Sequence, residues 1–252
     1  MSEPITLFWQ PGCTSCLRVK EFLRSHDVAF NSINIADDPS GLEQLSKYGI
    51  KTVPILTQGD RFIFAQVLGE VACFLGLEED SVQPLPIHEL VLKLRMVLAA
   101  AQRYVHQIPV SHLNHVLPGR IRTYRELGYH IFRIAECFLE AAAGTTLTDE
   151  DLNAPPCEDL QTGADIAEYG QGVLGAVEAW WRNTPDDKKG ESIATYFGKQ
   201  TLQIVLERTT WHSAQHARQL MMVLNKLGIE PDGPLLPDDL AGLPLPNQVW
   251  DD

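Results

Sequence analysis

The chain has 252 residues, of which 20 are Lys or Arg and 33 are Asp or Glu, for a net charge of −13. That acidic excess disfavours nucleic acid and anionic membrane surfaces as partners, because both are held largely through Lys and Arg. A hydrophobic fraction of 44% excludes a wholly disordered or fibrous chain, and the length suits one large or two modest domains.

Residues 4–10 read as a short buried strand, turned by Pro11-Gly12. Residues 14–25 have helical spacing, with Leu17, Phe22 and Leu23 apolar and Arg18, Lys20, Glu21 and Arg24 polar. A strand over Ala29–Ile35 and a helix over Pro39–Tyr48 follow. Two more strands, Thr52–Leu56 and Phe62–Gln66, flank the Gly59-Asp60 turn, and a closing helix covers 70–76. The order is β-α-β-α-β-β-α, and it predicts an α/β domain over residues 1–78.

Residues 79–86 are acidic at first and then Pro-containing, as an inter-domain linker would be. The pattern then turns helical. Helices are predicted over 87–107, 119–143, 163–182 and 200–227. Leu90, Leu94, Val97, Leu98 and Ala101 share one face of the first. Gly144 and Gly228 stand where helix C-caps belong. Four amphipathic helices of this length predict an all-α four-helix bundle over 87–228. The loop 145–162 holds Pro155-Pro156. Residues 229–252, with five prolines and no Lys or Arg, read as a Pro-rich acidic tail. The charge is shared: residues 1–80 carry six basic and eleven acidic groups, net −5, leaving −8 for the rest.

No apolar run reaches the ~20 residues that span a bilayer, and Met1-Ser2-Glu3-Pro4 lacks the basic and apolar regions of a secretory signal. The cytoplasm is the expected compartment. Five cysteines, Cys13, Cys16, Cys73, Cys137 and Cys157, are odd in number and sparse, which argues against a disulfide scaffold.

Cys13-Thr14-Ser15-Cys16 follows a strand and opens a helix. A Cys at a helix N-terminus has its thiolate stabilised by unpaired N–H groups, and a second Cys one turn on can reach back to resolve a mixed disulfide. A CxxC pair alone serves zinc or redox chemistry. Zinc needs two further ligands and there is no second Cys pair, so the βαβ setting favours redox. The run Leu7-Phe8-Trp9-Gln10-Pro11-Gly12-Cys13-Thr14-Ser15-Cys16, with Thr52-Val53-Pro54, resembles a glutaredoxin of the thioredoxin fold over residues 4–77. The resemblance implies that Cys13 is the nucleophile and Cys16 the resolving thiol. It further implies that Pro54 is a cis-proline shaping the substrate site after Thr52, with the Val53 backbone pairing with the cysteine moiety of glutathione. Gln10 stands where the family often has Lys, and Leu68-Gly69 where it has Gly-Gly; both departures bear on glutathione affinity. Cys73, beside Phe74 and Leu75, reads as a core residue.

Trp211-His212-Ser213-Ala214-Gln215-His216 lies in the last helix, and i,i+4 spacing puts both imidazoles on one face. A His-x-x-x-His pair can hold a transition metal, but no Glu follows His212, so the metalloprotease motif is absent. His130 in the second bundle helix is the candidate third ligand. Leu127-Gly128-Tyr129-His130-Ile131-Phe132 together with Thr210–Gln219 resembles the DinB/YfiT-like superfamily over residues 86–228. That family implies a four-helix bundle with a metal held by His130, His212 and His216, and includes metal-dependent thiol transferases that use low-molecular-weight thiols. Three neutral imidazoles leave open positions at which a bound thiol would lose its proton. Zinc is the first choice; imidazole also suits nickel, iron(II) and manganese.

Around these residues, Arg208 is a weaker candidate for a substrate carboxylate, and Gln215 and Gln219 are candidate outer partners of the histidines. Cys137 is two turns beyond His130 and reads as core packing. Cys157 reads as exposed and without function. The basic run 118–125 fits pairing with local carboxylates or an anionic substrate. His26, His88, His106, His112 and His115 lack ligand spacing.

Three functions are therefore weighed. The first is a glutaredoxin-like thiol-disulfide oxidoreductase fused to a metal-dependent DinB-like domain. Both parts would work in glutathione chemistry, with glutathione or glutathionylated substrates as partners and the bundle as a homodimer surface. The second is a redox- or metal-sensing binding protein. The third is a disulfide reductase with a non-catalytic bundle.

Overall fold

The computed structural model describes residues 3–77, 84–117, 119–185 and 190–250. Two compact units divide the chain, one of Met1–Gln83 with Pro246–Asp252 and one of Pro84–Leu245. Of the linker expected at 79–86, residues 79–83 lie outside the described residues. Pro84 to Pro86 belong to the second unit, where Gln203 donates to the Pro84 and Leu85 carbonyls at 3.3 and 2.9 Å.

In the first unit, β1 (Ile5–Trp9), α1 (Thr14–Ser25), β2 (Asn31–Asn34), α2 (Pro39–Ser46), β3 (Ile55–Gln58), β4 (Arg61–Phe64) and α3 (Leu68–Leu75) follow in the predicted order. The sheet order is β2-β1-β3-β4, with β1 parallel to β2 and antiparallel to β3, and β3 antiparallel to β4. Successive strand residues face opposite sides. Leu7 and its partner Leu56 therefore join Val19, Leu23 and Val71 in one cluster. Phe8 and Ile55 join Cys16, Leu45, Ile50 and Val53 in another. The ladder of β3 begins after Pro54, which has no N–H to give. This is the thioredoxin-like α/β arrangement read from the sequence. Cys73 departs from expectation: on the short α3 its side chain faces out and is exposed rather than in the core.

The second unit is built on α4 (Ile87–Gln107), α5 (Tyr124–Ala142), α7 (Gly163–Asn183) and α8 (Leu202–Lys226), with a one-turn α6 (Asp149–Leu152) between. Helices α4 and α5 each pack on both α7 and α8, giving the expected four-helix bundle. Gly170 lets α7 close on α5. A Cβ there would sit 2.5 Å from the buried Phe132 ring. Gly170→Ala is expected to cost about 1–3 kcal/mol through overpacking, read as a lower urea midpoint at unchanged slope.

Three corrections concern how the bundle is joined. The second helix starts at Tyr124, not 119. Thr123 caps it, with Glu126 returning to the Thr123 N–H in a capping box, and residues 119–123 form a loop. Second, a hairpin of β5 (Ser192–Thr195) and β6 (Gly198–Thr201) precedes α8, where no strand was predicted. Third, the stretch 229–252 is not one tail. Residues up to Leu245 belong to the bundle unit, held where Tyr104 Oη donates to the Gly233 carbonyl and accepts from Leu235 N. Lys93 and Arg103 of α4 bind the Asp239, Asp232 and Gly233 carbonyls. Pro246–Asp252 belong to the first unit, where the Asn247 and Gln248 N–H groups donate to the Glu21 carboxylate at 2.7 and 3.0 Å.

Candidate functional site

Strand β1 ends at Trp9, and the Pro11-Gly12 turn, with Gly12 at φ 66°, delivers Cys13 to the N-cap of α1. Cys13 Sγ accepts from Cys16 N at 3.2 Å, so an N–H of the first turn of the helix points at this sulfur. Cys13 and Cys16 are joined as a disulfide, with Cα atoms 5.2 Å apart. Cys16 is buried; Cys13 is partly exposed and is the sulfur that a substrate can reach. The Val53–Pro54 peptide is cis. Val53 packs in the same cluster as Cys16, with Cys13 against it, so the structure brings the expected proline element beside the thiol pair.

In the bundle, His130 on α5 and His212 and His216 on α8 converge. Their ring centroids lie 4.9–5.5 Å apart. One nitrogen from each lies within 4.8 Å of the others, and all three side chains are buried. Ser213 Oγ donates to the Ile131 carbonyl at 3.1 Å, which ties α8 to α5 one residue from His130. Burial, followed by the charge of Arg122, lowers the pKa of His130 and His216 well below the usual value; burial and then His216 do so for His212. The imidazoles are therefore neutral, the state in which they donate to a metal.

The hydrogen bonds favour the same role. His216 Nδ1 donates to Gln219 Oε1 at 2.7 Å, which puts the lone pair of this imidazole on Nε2, the nitrogen turned toward the other histidines. That Nε2 faces His212 Nε2 at 3.2 Å. Two nitrogens bound at about 2.0–2.1 Å to one tetrahedral ion stand about 3.3 Å apart, so the pair already has the spacing that such an ion needs. His212 Nδ1 is shielded and has no hydrogen-bond partner among the described residues, whereas a histidine kept only to fill a core is normally satisfied. The donor set and its spacing fit a divalent metal.

Gln219 takes the outer position expected of it, while Gln215 Oε1 accepts from Arg218 Nη1. Arg208, the candidate for a substrate carboxylate, is buried and donates to Tyr196 Oη at 3.0 Å. Tyr196, in the turn of the unpredicted hairpin, had no sequence signal beyond being aromatic. Asn153 and Asp149 of the α6 region were likewise missed; Asn153 accepts from Arg122 at 3.2 Å.

Cys137 is buried, and burial pushes its thiol up to about 12. Cys157 is exposed, as expected. Brief treatment of the native oxidised protein with iodoacetamide at neutral pH is expected to label Cys73 and Cys157 and to spare Cys137, as read by peptide mass spectrometry. Labelling of Cys137 at the rate of the exposed pair would contradict its placement.

Comparison with known proteins bears on both units. A glutaredoxin family model matches residues 5–63, and a model of the DinB superfamily matches residues 90–220. The glutaredoxin-like protein NrdH of Lactococcus lactis subsp. cremoris (strain MG1363) is 34% identical over 56 residues, 22% of this chain and 78% of NrdH. The global transcriptional regulator Spx of Listeria innocua serovar 6a is 25% identical over 126 residues, 48% of this chain and 92% of Spx. Among solved structures, YfiT from Bacillus subtilis is described as a probable metal-dependent hydrolase with an unusual four-helix bundle topology. It matches with a TM-score of 0.47 at 18% identity, covering 61% of this chain and 94% of YfiT. A DinB-like protein from Bacillus cereus ATCC 10987 matches with a TM-score of 0.45 at 17% identity, covering 55% and 91%.

Proposed function

The chain belongs to the DinB superfamily through residues 90–220 and to the glutaredoxin family through residues 5–63, and from this we propose that it couples two chemistries of low-molecular-weight thiols. The first is glutathione-dependent disulfide reduction at Cys13 and Cys16. The second is metal-dependent thiol transfer at His130, His212 and His216. The observation that carries the reading is the Cys13–Cys16 disulfide at the N-cap of α1, the oxidised product of such a cycle.

In that cycle the Cys13 thiolate attacks one sulfur of a substrate disulfide, forming a mixed disulfide and expelling one thiolate. The Cys16 thiolate then attacks Cys13 Sγ. It releases the second substrate thiol and leaves the disulfide seen here. Two glutathione thiols return the pair to the dithiol and leave as glutathione disulfide, so two electrons pass per turn. The N–H of Cys16 and the start of α1 stabilise the Cys13 thiolate. Thr52, Val53 and Pro54 form the substrate wall, and the Val53 backbone pairs with an extended thiol peptide.

In the bundle, His130, His212 and His216 would hold a divalent metal, zinc as first choice, and Gln219 fixes the His216 tautomer. A bound metal supplies Lewis acidity and lowers the pKa of a thiol at an open position. The neutral imidazoles present lone pairs without first losing a proton, and burial keeps bulk water from competing.

The test is a pair of assays on the full chain: glutathione-dependent reduction of a small disulfide, and glutathione transfer to an electrophile, each with and without chelator. Reduction that survives chelation and transfer that does not is the expected pattern. Absence of both activities contradicts the proposal.

A second reading, a redox-responsive binding protein, is favoured by the Spx match, which extends over 126 residues and so beyond the glutaredoxin match. It predicts reversible partner binding that follows the Cys13–Cys16 state without turnover.

A further inference from the structure

Hydrogen bonds within the first unit join the cysteine turn to the cis-proline segment. Ser15 stands between Cys13 and Cys16, and its Oγ donates to Gln66 Oε1 at 3.0 Å. Arg18, one turn further along α1, donates from Nη2 to the Gln66 carbonyl. Residues 15 and 18 share a face of the helix, so both reach the same residue. Gln66 lies in the short connection between β4 and α3. Its neighbour Ala65 donates its N–H to the Pro54 carbonyl at 3.1 Å, directly after the cis peptide. The path from Cys16 to Pro54 therefore runs through Ser15, Gln66 and Ala65, and every step is covalent or a hydrogen bond.

Ser15 and Gln66 are 4% and 2% exposed. At that burial water does not replace a lost partner, so the bond between them is costly to break. The two sulfurs are bonded in this structure, whereas in the dithiol they stand at least a van der Waals contact apart. Ser15 lies between the two cysteines in the chain, so opening the pair strains the turn that Gln66 holds. A turn held in one place keeps the Cys16 sulfur in reach of Cys13 Sγ and raises its effective concentration for internal attack.

We propose that Ser15 and Gln66 are positioning residues for the thiol-disulfide reaction: their hydrogen bond holds the cysteine turn against the cis-proline segment and favours the closed disulfide over the dithiol. They act through Cys13 and Cys16 rather than on the substrate. The inference rests on reading Cys13 and Cys16 as the redox pair and adds the residues that set its poise. In the reaction concerned, the protein disulfide and two glutathione thiols give the protein dithiol and one glutathione disulfide, with two electrons passing to the protein. Loss of the Ser15–Gln66 bond leaves both cysteines in place and removes only the advantage of internal closure.

The experiment equilibrates the full-length protein in buffers of graded glutathione to glutathione disulfide ratio, quenches with acid, and reads the reduced fraction of the pair by alkylation and peptide mass. Ser15→Ala and Gln66→Leu are each expected to lower the equilibrium constant for disulfide formation about tenfold, a rise of ~30 mV in reduction potential. The double variant is expected to shift no further than either single one, because both remove the same bond. Val71→Ala serves as the control for general loss of stability, since Val71 packs in the cluster that does not contain Cys16. It is expected to lower the urea midpoint and leave the equilibrium constant unchanged. An unchanged or increased constant in the single variants, shifts that add in the double variant, or an equal shift in Val71→Ala overturns the proposal. Ser15→Ala removes only a hydroxyl and decides the matter even if Gln66→Leu fails to fold. Because the equilibrium needs no catalytic turnover, absence of disulfide reductase activity would contradict the earlier reading without touching this one.

Discussion

His216→Ala is expected to lower divalent-metal affinity by at least about 100-fold, because it removes a ligand rather than one of the outer partners whose loss costs ~10–100-fold. His130→Ala and His212→Ala should behave alike. Gln219→Leu should fall in the lower range, since it frees the His216 tautomer but leaves all three imidazoles in place. The measurement is competition for zinc against a chromogenic chelator, with metal content after dialysis as the check. These side chains are buried and neutral, and Ala leaves space without an unpaired charge. The variants are therefore expected to fold, and circular dichroism tests this. Unchanged zinc affinity in all three histidine variants would mean that the triad is core packing.

Cys13→Ser is expected to reduce glutathione-dependent disulfide turnover to background, because serine supplies no thiolate at neutral pH. Cys16→Ser is expected to separate the two half-reactions. Cys13 still attacks, but no internal thiol resolves the product, so a mixed disulfide accumulates on Cys13 and appears as a mass increase that dithiothreitol reverses. The asymmetry follows from the structure: Cys13 caps α1 and is partly exposed, whereas Cys16 is fully buried beneath it. If Cys16→Ser lost all reactivity while Cys13→Ser kept it, the roles would be reversed.

The parts of both candidate sites legible in the sequence are those set by local geometry. Cys13 and Cys16 are one helical turn apart after a strand, and His212 and His216 share a face by the pitch of α8 alone. The convergence of His130 depends on how α5 meets α8. It was anticipated through resemblance rather than spacing, and in the structure Ser213 and the Ile131 carbonyl hold that meeting in place. What was not legible is tertiary. Arg120 and Arg122 were assigned to a helix, yet the Thr123 capping box starts α5 at Tyr124 and leaves them in a loop. Tyr196 enters through a hairpin of only four residues per strand, too short and too polar to stand out. Residues 229–245 lack an apolar period because they are held through backbone groups by Tyr104, Arg103 and Lys93, which no side-chain pattern announces.

The central claim is that a metal sits on the bundle histidines of a chain that also carries a redox-active cysteine pair. X-ray absorption at the zinc edge of the zinc-loaded full-length protein tests it most directly. The account predicts three nitrogen scatterers at about 2.0–2.1 Å with a light-atom fourth ligand and no sulfur at ~2.3 Å until a thiol is added. A zinc–sulfur shell in the absence of added thiol, or a nitrogen shell that survives in His216→Ala, would place the metal on other residues and contradict it.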